Sequence, residues 1–184
     1  VALAVARPGG PTLHADLVRE LAQALEAPVV FVAAFEDDTL TSMRTLAAQR
    51  DGRPLQPFSY LVEGSPCAHV STLAFRYVAA GVAAESHPDT VFAAMAMDAY
   101  AAYPLVDSTG KAVGLLVAMD RQPIAGGDAE HTEATLKIAA GRLAAEIERS
   151  RTDELLRAAA LAVSGAADGT VFDELVRLLA STLH

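Results

Sequence analysis

The sequence predicts an α+β domain built on one central antiparallel sheet of five to six strands, with helices on both faces. Three observations lead there. Residues 29–36, VVFVAAFE, form a β-branched and aromatic run with the composition of a buried strand. Residues 99–106 and 111–119 are two apolar runs joined by the four-residue connection DSTG, which is hairpin chemistry and therefore antiparallel. Apolar stripes at helical spacing bracket these strands, at 11–27 and 128–164.

Each element has its own warrant. Leu13, Leu17, Leu21 and Leu25 stand four apart, with Thr12 as an expected cap and Pro28 beyond the end. Residues 41–49 alternate in part and read as a second strand. Asp51-Gly52, Pro54 and Pro57 mark a loop. Residues 58–73 read as a loop with a short helix starting near Ser65-Pro66. Alternation over 74–84 predicts a strand. After His87-Pro88-Asp89 a short helix turns Val91, Phe92, Met95 and Ala96 inward. Pro104 cannot donate a ladder bond, so a bulge or an unpaired site is expected there. Asp128 caps the last helix, where Leu136, Ala140, Leu143 and Ile147 make a 4-3-4 seam suited to helix–helix packing. About 36 helical residues extend about 54 Å, so this helix is expected to leave the domain body.

Composition excludes several function classes. The 184 residues are 52% hydrophobic and 20% charged, which is not a disordered chain. With 23 acidic and 14 scattered basic residues the net charge is −9, the wrong sign for a phosphate-binding face; no nucleic-acid partner is expected. No apolar run reaches about 18 residues, so no membrane span is expected. The single cysteine, Cys67, cannot close an internal disulfide and fits a reducing cytoplasm.

An internal repeat sets the expected boundaries. TLHADLVRELAQAL at 12–25 aligns with TVFDELVRLLASTL at 170–183, with identities at Thr12, Leu17, Val18, Arg19, Leu21, Ala22 and Leu25. Chance likeness between amphipathic helices accounts for the leucines; it accounts less well for Thr, Val and Arg in register. The expected organisation is an upstream linker at 1–10, a domain body at 11–127, a signalling and dimerisation helix at 128–164, and at 165–184 the first helix of a second, truncated copy. The leucines of that last helix need burial, most simply against a partner chain.

SPCAHV (65–70) and AYAAYPLVDSTGKAVGLLVAMDRQPI (99–124) resemble sensor domains of the GAF family, in Tyr100, Pro104-Leu105, Asp107, Gly110, Gly114-Leu115-Leu116, Asp120 and Pro123. The resemblance covers about 11–150. It implies that the first and last helices share one sheet face, often as a bundle in a homodimer. It also implies a small-molecule cavity on the other face, roofed by 58–73 and 86–98, and a covalently linked output domain such as a histidine kinase, a cyclic-di-GMP enzyme or a transcription activator. The expected dimer residues are Leu17, Leu21, Leu136, Leu143, Ile147, Leu155, Leu175 and Leu179.

For the ligand, which the sequence leaves unidentified, the candidate lining is Phe58, Tyr60, Cys67, His69, Tyr77, Phe92, Met95 and Tyr103, with Tyr100 beside them: apolar bodies with a few polar tips. For each alone, ordinary core is the competing reading. Bilin-binding relatives attach the chromophore to a cysteine in this region, which makes Cys67 a second possibility. Cys67, His69 and His87 lack the spacing of a zinc site, so no metal or other cofactor is expected. The cyclic-nucleotide signature of some relatives is matched only at Phe92 and Asp98. Ser65, His69 and Asp89 lack a nucleophile-elbow context. The expectation is a sensor and not an enzyme, with a ligand-free dimerisation module as the alternative.

Overall fold

The computed structural model describes residues 12–37, 39–68, 74–85, 91–165, 177 and 181. The linker at 1–10, His69, His87 and, apart from Arg177 and Ser181, the repeat at 170–183 lie outside the described residues. Two compact units divide the chain, 1–145 and 146–184.

The elements are α1 (Leu13–Ala24), β1 (Val29–Phe35), β2 (Ser42–Arg50), β3 (Arg53–Pro54), β4 (Ser59–Leu61), β5 (Arg76–Val78), α2 (Val91–Met95), β6 (Ala99–Val106), β7 (Ala112–Asp120) and α3 (Ala129–Gly165). Short 3-10 turns at Val82–Glu85 and Ile124–Gly127 connect them. Among the described residues the strands form one antiparallel sheet in the order β3-β2-β1-β7-β6-β5, with β4 pairing the other end of β2.

The middle of the sheet explains why 29–36 shows no alternation. Every residue of β1 but Ala34 is buried, and every residue of β7 but Asp120. Both faces are covered, so both parities must be apolar. On one face, called here the roof face, Val29, Phe31, Ala33 and Phe35 join Leu115, Val117 and Met119 in one core with Tyr60, Cys67 and Phe92. On the rear face lie Val30, Val32, Leu116 and Ala118, all buried and none in the roof core. Helix α1 packs over β1 and β2 with Leu13, Leu17, Val18 and Leu21 inward. Leu136, Ala139, Ala140 and Leu143 of α3 are buried as well. No residue of either helix belongs to the roof core, so both cover the rear face.

Two bulges adjust this partition. Leu46 is the extra residue of β2 opposite Val32/Ala33. It allows Met43 and Ala48, of opposite parity, to reach the same core. Pro104 pairs in register with Leu115, and the irregularity expected at it falls one residue later, where Val113 is extra.

Other expectations are corrected. The strand at 74–84 shortens to Arg76–Val78. Gly81, at φ 89°, donates its N–H to Asp98 Oδ1 at 2.9 Å, and Val82 N–H bonds Asp98 O at 3.0 Å; these bonds fold the chain off the edge. Strands β3 and β4 are two and three residues long, too short to carry a period. Thr12 occupies the N-cap position of α1 without a side-chain bond. Ala96 is exposed, in left-handed backbone at φ 54°. Asp128 does cap α3, accepting the His131 N–H at 2.9 Å.

Gly114 sits where β7 crosses β1. A Cβ there would collide with the carbonyl oxygen of Ala33, whereas one at Gly141 on α3 would meet nothing within 4 Å. Gly114→Ala is expected to lower stability by about 2 kcal/mol and Gly141→Ala to raise it by about 0.5–1 kcal/mol, both read by urea denaturation. In the β6–β7 turn, partial burial raises the Asp107 carboxyl, but bonds from the Thr109 hydroxyl and from the N–H groups of Lys111 and Thr109 outweigh it and hold the group below its ordinary value. Its contribution is full above about pH 4 and is lost as pH falls through the depressed folded value. Asp107→Asn should flatten the acid limb of a stability–pH profile.

Candidate functional site

The roof core brings the buried Tyr60, Cys67 and Tyr100 together among apolar side chains. Phe31 of β1 is its floor. The rings of Phe58, Tyr60 and Phe92 stand 6.1, 6.2 and 6.1 Å from it, and Tyr60 meets Phe92 edge-on at 4.9 Å. These are direct ring contacts, so the aromatic side chains fill the space between them. Met43 and Met95 pack in the same core.

Cys67 is fixed by the turn before it. Ser65 Oγ donates to Val62 O at 2.7 Å and accepts the Cys67 N–H at 3.2 Å. The fully buried thiol lies 3.3 Å from Tyr100 Oη and 3.6 Å from Tyr60 Oη. Met43 Sδ, 3.4 Å from Tyr60 Oη, is a second acceptor within reach of that hydroxyl's single proton. From the edge strand, Arg76 donates through Nη1 to Pro66 O at 2.6 Å, and its guanidinium carbon stands 5.7 Å from the centre of the Tyr100 ring. Burial pushes the Cys67 thiol up, against the opposing pull of bonds from Tyr100 and Tyr60 and of the Arg76 charge. Burial, with Cys67 beside it, pushes the Tyr60 hydroxyl well up too. At neutral pH both groups are protonated and neutral. A thiol in that state is a poor nucleophile and a poor metal ligand.

Of the residues expected to line a ligand site, Phe58, Tyr60, Cys67, Phe92 and Met95 do come together, with Tyr100. Tyr77 and Tyr103 do not. Tyr77 pairs with Ala101, and Tyr103 with Leu116, both on the rear face. There Phe75 stacks with both rings at 6.4 and 6.3 Å, and Tyr77 Oη donates to Ile124 O at 3.1 Å. Sequence reasoning missed Phe31, Met43 and Arg76. Phe31 carried a signal, as the large residue at the centre of the most apolar strand; Arg76 carried none, because its face depends on register.

The expected dimer residues divide similarly. Leu17, Leu21, Leu136, Leu143 and Ile147 are buried within the protomer, whereas Leu155 is 39% exposed. Leu175 and Leu179 lie outside the described residues.

No family model matches the sequence, and no curated protein does. Solved structures do match. The GAF domain of a phosphoenolpyruvate-protein phosphotransferase from Coxiella burnetii is 21% identical, covers 81% of this chain and 88% of its own, and superposes with a TM-score of 0.61. The GAF domain of a two-component sensor histidine kinase from Bacillus halodurans is 13% identical over 79% of this chain and 98% of its own, with a TM-score of 0.61. Free methionine-R-sulfoxide reductase from Neisseria meningitidis is 18% identical over 78% and 83%, with a TM-score of 0.57. At these identities the likeness is one of fold. Together with the strand order and the two helices on the rear face, it shows that the chain has the GAF fold.

Proposed function

We propose that this chain is a non-catalytic sensory module: a small molecule bound at the roof face alters the sheet, and α3 carries the change, in a homodimer, to a covalently linked output domain. The observation that carries the reading is α3 itself. It starts directly after the central strand β7 and the turn Ile124–Gly127, and it runs 37 residues. Its first half is buried through Leu136 and Leu143, while Leu156 and Leu161 further on are 64% and 72% exposed. A helix anchored at one end and apolar yet exposed at the other suits a mechanical link. Two of the similar structures are domains of a phosphotransferase and of a sensor kinase, which supports a place in signalling.

The ring contacts constrain how a ligand acts. Phe31, Phe58, Tyr60 and Phe92 already touch, so binding selects a repacked arrangement in which α2 and the Ser65–Ala68 turn shift. A ligand biases that equilibrium only by its difference in affinity for the two packings, and couplings of about 1–3 kcal/mol are usual. The same contacts favour a second reading, a dimerisation module whose core is complete without ligand.

Chemistry at Cys67 fits neither attachment of a bilin nor thiol-based reduction. The thiol is buried and protonated, and reduction of a sulfoxide by thiols leaves a sulfenic acid that a second thiol normally resolves; this chain has one cysteine. Among the described residues no helix is long and apolar enough to cross a membrane, and the free thiol fits a cytoplasmic placement.

Native mass spectrometry of the purified chain tests the reading. A dimer carrying a small molecule that denaturation releases is the expected result; a bare dimer supports the second reading, and a bare monomer contradicts both. Leu156→Asp should weaken the dimer at least about tenfold while the monomer stays folded; Leu143, being core, is the wrong position for that test. Cys67 should react with a thiol reagent only as fast as the protein unfolds, and rapid modification of the native protein would overturn the description of the site.

A further inference from the structure

One side chain ties the roof helix to the end of the sheet. Helix α2 sends Phe92 and Met95 into the roof core and ends at Met95. The backbone then turns through Ala96, left-handed at φ 54°, with its N–H on Ala93 O at 3.2 Å. The last carbonyls of a helix have no partner within it. Here Met95 O accepts a bond of 3.4 Å from Nη2 of Arg50, the last residue of β2.

Arg50 has a second partner. Its Nε lies 3.6 Å from Asp51 Oδ2, and Arg121 Nη1 lies 3.8 Å from Asp51 Oδ1. The β2–β3 turn holds Asp51 in place: Asp51 and Gly52 are left-handed at φ 50° and 76°, and the Asp51 N–H bonds Pro28 O at 2.7 Å. Arg121 is the first residue after β7, on the way into the Ile124–Gly127 turn and α3. One carboxylate therefore meets two guanidiniums, one that also holds the roof helix and one at the root of the connection to α3. All three side chains are at least 35% exposed. Ion pairs of that kind add little to stability, so they change partners at small cost.

We infer that Arg50, Asp51 and Arg121 form a partner-exchange switch between the roof helix and the root of α3. With α2 in place, Arg50 is divided between Met95 O and one oxygen of Asp51, and the other oxygen is left to Arg121. When α2 shifts, Arg50 loses the carbonyl and closes on both carboxylate oxygens, the geometry a guanidinium favours. Arg121 is then released, and the turn into α3 loosens. The switch rests on the sensory reading, in which α2 moves, and supplies that motion with a route to α3. A rival route runs through the backbone, where Asp98 N–H bonds Asp120 O at 2.8 Å.

Amide hydrogen exchange on the whole chain, read by NMR, tests the switch. Arg50→Met keeps an aliphatic stem and removes the charge. Ala96 should then exchange about threefold faster, and Asp128, whose N–H bonds Ala125 O at 3.3 Å, no faster. Asp51→Asn should give the reverse pattern. Phe92→Leu and, independently, Met95→Ala displace α2 and should speed both amides about threefold. Adding Arg50→Met to either should return Asp128 to its wild-type rate while Ala96 stays fast. Three results would each overturn the switch: an Ala96 rate unmoved by Arg50→Met, an Asp128 rate unmoved by both α2 variants, or an Asp128 response that persists without Arg50, which would favour the Asp98 route. Such a failure leaves the sensory reading standing, because native mass spectrometry decides that reading separately.

Discussion

The pairing of β1 with β7 is the constraint on which the rest of this structure depends. Val30 sits opposite Ala118, Phe31 opposite Val117 and Val32 opposite Leu116. Because side chains alternate across a sheet, this register sends Phe31 and Val117 to the roof core and Val32 and Leu116 to the helices. A slip of one residue would exchange the two sets, putting an aromatic ring where α1 approaches and a valine at the floor of the aromatic cluster. Gly114 allows the close approach: it stands opposite Ala34, and the carbonyl of Ala33 occupies the room a side chain would need.

The two cores that result have different chemistry. Where β1 and β7 meet the helices the rear core is aliphatic, built of leucine, valine and alanine, with the Phe75, Tyr77 and Tyr103 rings toward the β5 edge, and close packing of that kind is stiff. The roof core holds all four methionines, Met43, Met95, Met97 and Met119, and the one cysteine. Methionine is flexible and tolerates repacking. A fold with one stiff face and one adaptable face can repack the second without losing the first, and that asymmetry follows from side-chain type and register.

Much of the fold was legible because it rests on local pattern. The leucine stripe of α1, the apolar run of β1, the β6–β7 hairpin and the Asp128 cap each declare themselves within a few residues. The edges were not legible. β3, β4 and β5 are held by pairing and by the bonds Asp98 makes to Gly81 and Val82, and two or three residues carry no period. The site was half legible for a related reason. Phe58, Cys67 and Phe92 lie on connecting segments outside the strands, whereas Tyr77 and Tyr103 lie on strands whose facing depends on register. Even so, the sequence held a clue: Tyr100 and Tyr103 are an odd number of residues apart on one strand, so an unbulged strand cannot aim both at one face.

The most direct test of this account is a set of side-chain NOEs on the native protein. The account predicts cross-peaks from the Phe31 ring to the Tyr60 and Phe92 rings, and from the methyls of Val30 and Val32 to the leucines of α1. Cross-peaks from Val32 to Tyr60 or Phe92, with Phe31 touching α1, would show the opposite facing of β1 and contradict it.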